Sequence, residues 1–253
     1  MAMQLDDRLF HLFEKPAAGV AVETLCLGLG YTALATSDGG TGIAYTYLDA
    51  KTSCGVVKNY RDFEGQSAIE LLAYLHSADP LERTMALALV NALNHRAALA
   101  LPEDPKNRSL FDSLGIGSGT RVAMVGLFGP LMRIFKERGA VVEVVDLHRR
   151  LGQPAEFLPR LRAWAEVLIL TATSILNAIA EEILAAVGDG VKTVLLGPST
   201  PLVAEAFAHL PVHFLAGTVP VDREAVFKAV RHGAGTRVIQ KYGRKVFMPT
   251  RAL

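Results

Sequence analysis

The sequence predicts an α/β fold of two parts, in which a small α+β domain precedes a larger, doubly wound domain with a parallel sheet. After residue 110, short and nearly continuous apolar runs alternate with helical stretches, as strands buried on both faces require. Before residue 110, a helical pattern is followed by strands and then by helices. Residues 101–106 combine two prolines with three charged residues, which is typical of a linker. We therefore expect domains at residues 1–110 and 111–253.

The first part opens with an amphipathic helix and continues with a hairpin. Leu5, Leu9 and Leu12 recur at the i, i+4 and i+7 positions of one helical face. Ser37-Asp38-Gly39-Gly40 supplies a tight turn, and Asp79-Pro80 has the chemistry of an N-cap followed by the first helical position. The predicted elements are a helix from Leu5, strands at 20–29, 31–36 and 41–47, and a helix from Pro80 to Leu93.

The second part contains five apolar runs, each followed by a helical pattern. Such alternation predicts βαβ crossovers and a parallel sheet covered by helices on both faces. The predicted strands are 121–126, 141–146, 167–171, 191–196 and 213–216, and the predicted helices are 130–138, 158–165, 175–187, 203–209 and 223–231.

Composition restricts the class of protein. Of the 253 residues, 51% are hydrophobic and 20% charged, which excludes an intrinsically disordered chain, and the mean hydropathy of +0.29 suggests a surface for homo-oligomer formation. The net charge of +1 lacks the basic excess of nucleic-acid-binding proteins. No uncharged apolar run reaches the roughly 18–20 residues of a membrane helix. The acidic start, without a signal peptide, and the two separated cysteines, Cys26 and Cys54, predict a cytoplasmic protein with reduced thiols.

Polar residues follow each predicted strand of the second part. Because the carboxyl ends of parallel strands meet at one edge of a sheet, we expect these loops to form one ligand-binding rim. They offer hydroxyl groups, one amide and the N–H groups of helix starts, which favour a carbonyl oxygen or an anion. The predicted ligand-binding residues are Gly126, Phe128, Asp146, Thr171, Thr173, Ser174, Asn177, Gly197, Pro198, Ser199, Thr200, Gly217 and Thr218.

Two further segments can extend this rim. The hairpin of the first part bends at glycines and can cap the rim through Tyr31, Thr32, Gly40 and Thr41. Residues 233–237 and 241–245 form a glycine-rich basic segment. It could bring cations to an anionic ligand, although the sequence favours a surface tail.

A dinucleotide site is a competing interpretation of the same loops. Gly126 and Gly129 follow the first strand, and Asp146 lies about twenty residues further on, where an acidic side chain would bind ribose hydroxyls. The middle glycine of the G-x-G-x-x-G motif is missing. The sequence also contains no nucleophile elbow, P-loop or zinc motif. It therefore predicts no catalytic residues, no protein ligands for a metal and no particular cofactor.

Several of these segments resemble the prokaryotic families described as "putative heavy-metal chelation". The resemblance is carried by Gly126-Leu127-Phe128, residues 171–177, Gly197-Pro198-Ser199-Thr200-Pro201, Ala216-Gly217-Thr218 and Gly233-Ala234-Gly235. The hairpin of the first part is similar to the smaller domain of those proteins. The resemblance implies an enolase N-terminal-like domain, then a Rossmann-like domain, with a ligand site in the crevice between them.

Three functions are consistent with these observations. The first is a small-molecule-binding protein, which can also be an enzyme. Its ligand is a small anionic or metal-chelating molecule, and its role is in heavy-metal chelation or in the metabolism of metal chelators. The second is a nucleotide- or S-adenosylmethionine-dependent transferase that uses Asp146 on the ribose. The third is a non-catalytic binding module.

Overall fold

The computed structural model describes residues 3–48, 55–57, 60–146 and 149–251. The strands are β1 (Val22–Leu27), β2 (Tyr31–Thr36), β3 (Thr41–Tyr45), β4 (Arg121–Val125), β5 (Val141–Val145), β6 (Val167–Thr171), β7 (Lys192–Leu196), β8 (Phe214–Pro220) and β9 (Gly243–Pro249). The α-helices are α1 (Leu5–Ala18), α2 (Ala68–Leu72), α3 (Pro80–Leu93), α4 (His95–Leu99), α5 (Arg108–Leu114), α6 (Gly129–Glu137), α7 (Pro154–Ala163), α8 (Thr173–Leu176), α9 (Ala180–Ala185), α10 (Arg223–Arg231) and α11 (Thr236–Ile239). Short 3₁₀ turns lie at Ala73–His76, Ala204–Phe207 and Gln240–Tyr242.

Elements α1 to α4, here called the small domain, contain a three-stranded antiparallel sheet packed on α3. Its strand order is β1-β2-β3. Helix α3 begins as the sequence predicts, because Pro80 occupies the first turn and the Asp79 carboxylate accepts a hydrogen bond of 2.9 Å from the Leu81 N–H. A Cβ at Gly42 would lie only 2.1 Å from the Ala88 carbonyl oxygen. The sheet therefore approaches α3 at a distance that only glycine permits.

The large domain, α5 to β9, contains a six-stranded sheet in the order β5-β4-β6-β7-β8-β9. The first five strands of this order are parallel, and β9 runs antiparallel to β8. Alternate residues of β6 enter different cores: Leu168 and Leu170 pack with α7 and α9, whereas Val167 and Ile169 pack with α5 and α6. Helices thus cover both faces of the sheet. The α/β architecture predicted from the sequence is confirmed.

The structure corrects three elements of the sequence prediction. Residues 241–245, for which a surface tail is favoured above, lie in the last 3₁₀ turn and in β9. The single helix predicted over 175–187 is two short helices, because Ala178 takes a left-handed φ of 58° between them. The helix predicted over 203–209 is only a 3₁₀ turn.

Arg83 of α3 connects the two domains. This arginine is 7% exposed, and its guanidinium donates to the Asp6 carboxylate at 2.6 and 3.1 Å and to the Leu75 carbonyl at 2.7 Å. It also donates to the carbonyls of Ile175 (2.6 Å) and Leu176 (3.1 Å) in the large domain. All five guanidinium N–H groups therefore have acceptors. These contacts hold the small domain against the loop that follows β6.

Within residues 3–48, 55–57, 60–146 and 149–251, no helix combines the length and apolar character needed to cross a bilayer.

Candidate functional site

A cleft with a volume of about 640 Å³ lies between the small domain and the carboxyl edge of the large sheet. The strand order reverses between β4 and β6, and ligands of open α/β sheets bind at such a point. The loops that diverge from these two strands, Gly126–Gly129 and Ala172–Asn177, both line the cleft, and Tyr31 and Tyr45 of the small domain cover it. The volume falls in the range of small-molecule sites, roughly 300–1,000 Å³.

The structure brings most of the predicted rim residues together. Those that line the cleft are Gly126, Phe128, Asp146, Thr171, Thr173, Ser174, Asn177, Gly197, Pro198, Ser199, Gly217 and Thr218, together with Tyr31 from the hairpin. Four predicted residues do not line it: Thr200, Thr32, Gly40 and Thr41.

Each of these four has a structural reason for its position. Thr200 is 2% exposed and packs behind the loop. Thr32 lies on the face of β2 opposite to Tyr31, and its hydroxyl is 3.0 Å from that of Thr46. Gly40 packs on α3, because a Cβ there would lie 2.4 Å from the Ala92 carbonyl oxygen. Thr41 shares a face with Tyr31 but lies at the turn end of the hairpin, away from the cleft.

The loop after β4 is fixed by its neighbours. Gly126 has a φ of 83°, and a Cβ there would lie 2.9 Å from the Thr171 Cβ, so the loops after β4 and β6 touch. The Asp146 carboxylate accepts hydrogen bonds from the Leu127 N–H (2.8 Å) and the Arg149 N–H (3.0 Å). Asp146 therefore holds two loops in place, which leaves less of its carboxylate available to a ribose.

The loop after β6 presents an amide and several hydroxyl groups. The hydroxyls of Thr171 and Thr173 lie 2.9 Å apart, and that of Ser174 donates to the Thr171 carbonyl at 2.6 Å. The Asn177 Nδ2 group donates to the Tyr47 hydroxyl at 3.3 Å. The Asn177 Oδ1 atom is buried and accepts no hydrogen bond from the part of the chain that the structure describes. A buried acceptor without a donor is costly, so the hydrogen bonding of the Asn177 amide is incomplete among the residues that the structure describes.

The loop after β7 is hydrogen-bonded to the small domain beside the cleft. The Ser199 hydroxyl, in a residue only 1% exposed, accepts a hydrogen bond of 2.7 Å from the Tyr45 N–H. The Asn91 side chain donates to the Ile43 carbonyl at 2.9 Å and to the Ser199 carbonyl at 3.4 Å. These bonds fix the distance between β3 of the small domain and the loop after β7.

The sequence interpretation missed several lining residues. Tyr45, Asn107, Arg149, Glu182 and Gln240 were not among the predicted ones. Thr236, Arg237 and Lys245 also line the cleft, and they belong to the basic segment for which a surface tail is favoured above. Their sequence signal was the combination of glycines and cations in that segment.

The C-terminal segment also contacts the cover of the cleft. The Tyr31 hydroxyl lies 2.6 Å from that of Thr236. Burial raises the pKa of Tyr31 to about 12, so this hydroxyl stays protonated near neutral pH and remains a hydrogen-bond donor.

The residues of the cleft do not fit a directly bound heavy-metal ion. Soft and borderline metals select thiolate and imidazole ligands, and the described lining contains no Cys or His. Across the described ranges, no three His, Cys, Asp or Glu side chains are grouped so that they could hold a metal. Asp146 already accepts two main-chain hydrogen bonds. The described lining therefore offers no set of protein ligands for a heavy metal.

Comparisons with known proteins agree with this architecture. The family models DUF4213 and DUF364, both described as "Putative heavy-metal chelation", match residues 11–94 and 109–249. A structure from Pyrococcus horikoshii, a DUF364 protein of unknown function, is similar with a TM-score of 0.80 and 18% identity, covering 97% of this chain and 100% of that one. A DUF364 structure from Desulfitobacterium hafniense has a TM-score of 0.72 and 15% identity, covering 95% and 98%. No curated protein matches the chain.

Proposed function

The chain belongs to the DUF364 family, and from this membership and the chemistry of the cleft we propose that it binds a small metal-chelating molecule, free or as its metal complex. A metal that arrives in such a complex is cargo, and the protein contacts the molecule that carries it.

The observation that carries the proposal is Asn177 at the point where the strand order reverses. Its Oδ1 atom is a buried acceptor without a described donor, and its Nδ2 group already has the Tyr47 hydroxyl as a partner. The hydroxyls of Thr171 and Thr173 lie on the same loop and line the same cleft. Chelators carry oxygen, nitrogen and hydroxyl groups that such a surface can bind through hydrogen bonds.

The cleft supports the alternative of a nucleotide- or S-adenosylmethionine-dependent transferase less well. That function needs an acidic side chain free to bind ribose hydroxyls. The only acidic candidate after β5, Asp146, accepts hydrogen bonds from Leu127 and Arg149 instead. A non-catalytic binding module remains compatible with the proposal. Homo-oligomer formation and a cytoplasmic location stay predictions, and size-exclusion chromatography tests the first.

Matched variants test the proposal. Thermal unfolding would be followed with citrate, nitrilotriacetate and their Zn²⁺ and Ni²⁺ complexes, since a ligand at a hundred times its Kd stabilises the native state by about 2.7 kcal/mol. Asn177→Leu and Thr173→Val should weaken binding about tenfold, through the loss of a hydrogen bond to the ligand. Thr193→Val is the control, because the Thr193 hydroxyl is buried in β7 outside the cleft and has no described partner.

Two results would contradict the proposal. One is unchanged affinity in both cleft variants. The other is that no chelator stabilises the wild-type protein and that native mass spectrometry finds no co-purifying small molecule.

A further inference from the structure

We propose that Lys245 and Thr218 form an oxyanion subsite at one end of the cleft, so that the ligand carries a carboxylate or phosphate group at that end. This inference rests on the proposed function and specifies the class of ligand. In this arrangement, one polar end of the ligand contacts β8 and β9, and its other end contacts the loop that contains Asn177.

The register of the sheet places the two side chains together. Lys245 lies directly opposite Thr218 in the antiparallel pair of β8 and β9. Directly opposed residues of an antiparallel pair project from the same face, with their Cβ atoms about 4.5–5.5 Å apart. Both residues line the cleft, although Thr218 is only 7% exposed. The Lys245 ammonium and the Thr218 hydroxyl thus lie on neighbouring strands at one end of the cleft, and both can donate hydrogen bonds.

The ammonium of Lys245 lacks an ion-pair partner among the residues that the structure describes. Asp104 lies close enough to influence it, but the Asp104 carboxylate accepts hydrogen bonds from the N–H groups of Arg108 (2.8 Å) and Leu110 (3.0 Å). Burial lowers the pKa of Lys245, and Asp104 opposes this effect only in part. A cation that has lost water without gaining a counter-ion is favoured by an incoming anion.

The remaining charges make the cleft asymmetric. The Asp146 carboxylate follows β5, the first strand of the sheet, whereas Lys245 lies on β9, the last. Asp146 has Arg149 as a neighbour, with Oδ2 and Nε 3.9 Å apart. Arg237, which is exposed, adds a cation on the C-terminal segment that lines the cleft, and Glu182 adds a carboxylate on α9, away from β9. An oxyanion is therefore favoured at the β9 end.

This arrangement depends on the direction of β9. A strand that runs antiparallel to β8 begins where β8 ends, which is the edge of the sheet that forms the cleft. Lys245 is the third residue of β9, so the strand brings its charge to that edge immediately. A parallel strand in the same position would present its first residues to the opposite edge of the sheet.

The test compares two lysines. Lys245→Met removes the proposed charge, and Lys241→Met is the control, because Lys241 is exposed in the 3₁₀ turn before β9 and does not line the cleft. The probes are citrate, inorganic phosphate and uncharged triethyl citrate, with binding measured by calorimetry at low and high NaCl. Circular dichroism establishes that each variant folds, and Thr218→Val provides a second variant that keeps the charge.

We expect Lys245→Met to weaken anion binding about tenfold or more and to reduce its salt dependence, because a charge-assisted hydrogen bond is lost. Lys241→Met should bind as the wild type does, and triethyl citrate should not bind. Tighter Lys245-dependent binding of citrate than of phosphate assigns a carboxylate, and the reverse assigns a phosphate.

Equal affinities in Lys245→Met and Lys241→Met would overturn the subsite. So would a wild-type protein that binds neither anion. If an uncharged molecule nevertheless co-purifies with the wild-type protein and not with Asn177→Leu, the proposed binding function stands and only the subsite fails.

Discussion

The Arg83→Met substitution offers the sharpest test of how the two domains are held together. Methionine fills part of the space of the arginine side chain but removes all five hydrogen bonds of the guanidinium. It leaves the Asp6 carboxylate, whose side chain is 21% exposed, without its cation. It also leaves the carbonyls of Leu75, Ile175 and Leu176 without this donor.

The size of the effect follows from these losses. Removing one partner of a buried ion pair costs about 3–5 kcal/mol. The carbonyls that lose this donor add to the cost, although that of Ile175 keeps the Ala178 N–H as a donor. Water that reaches the partly exposed Asp6 reduces the cost. We expect a loss of about 4 kcal/mol, a large share of the roughly 5–15 kcal/mol that stabilises typical proteins. At about 2–4 °C per kcal/mol for a chain of this size, the melting temperature should fall by roughly 8–16 °C.

The loss should also depend on pH. Burial raises the pKa of Asp6, while Arg83 acts to lower it, so removing the arginine raises this pKa further. The folded variant then holds a proton on Asp6 more tightly than the unfolded chain does. Stability that the variant lacks at pH 7 should therefore be partly recovered as the pH falls towards the ordinary carboxyl pKa of 3.8.

Urea unfolding, followed by circular dichroism and by the fluorescence of Trp164, measures the effect. Arg133→Met is the matched control, because the Arg133 side chain is 84% exposed and its ion pair with Glu137 is at the surface. The control should stay within about 0.5 kcal/mol of the wild type. If Arg83→Met also stays within about 1 kcal/mol, the assignment of Arg83 as a stabilising polar link between the domains is wrong.

Two further predictions concern the large domain. Gly126→Ala should destabilise the protein by about 1–3 kcal/mol in urea unfolding, because φ is 83° and the new methyl group would lie 2.9 Å from Thr171. Gly190→Ala is the control, because its methyl group would meet no atom within 4 Å, and it should cost less than half as much. Burial lowers the pKa of His213, whose Nδ1 atom accepts a hydrogen bond of 3.1 Å from the Thr193 N–H. The neutral ring therefore contributes stability that is present above pH 6.5 and is lost as the pH falls through the lower folded pKa. His213→Asn keeps an acceptor without a titrating ring and should flatten this dependence in melting curves from pH 8 to pH 5, and an unchanged slope would contradict the assignment.

Local sequence chemistry predicts the five parallel strands of the large sheet and helix α3 well. The predicted strand at 167–171 coincides with β6, and the predicted helices from Pro80 to Leu93 and over 223–231 coincide with α3 and α10. Buried parallel strands are continuous apolar runs, and both of these helices begin with an aspartate whose side chain accepts an N–H of the first turn. Loops at the ends of such strands necessarily share an edge, which explains why most of the predicted rim residues meet.

The hairpin shows where local chemistry is insufficient. A turn of only residues 37–40 would pair Tyr31 with Thr46, but the observed register pairs Tyr31 with Tyr45. A slip of one residue moves every side chain of a strand to the other face. That difference decides that Tyr45 lines the cleft beside Tyr31. Thr32 points away from the cleft in either register, because it follows Tyr31 in the same strand. No feature of the turn sequence alone distinguishes the two registers.

Long-range pairing explains the other differences. Strand β9 (Gly243–Pro249) has two adjacent cations followed by three apolar residues, with neither a continuous apolar run nor a regular alternation, and its pairing with β8 depends on tertiary contacts rather than on its own composition. The break at Ala178 interrupts an apolar pattern that continues on both sides of it, so periodicity alone indicates one helix. Asn177 lies at that break, and its Oδ1 atom is left without a described donor there.

The contacts of Arg83 also bear on how this protein can diverge. The arginine lies in the segment matched by one family model, and two of its acceptors lie in the segment matched by the other. Those acceptors are main-chain oxygens, which every amino acid supplies. The hydrogen bonds therefore place no demand on the side chains at positions 175 and 176, which are constrained instead by their burial in the core. Position 83, by contrast, has few substitutes, because the link requires the guanidinium itself.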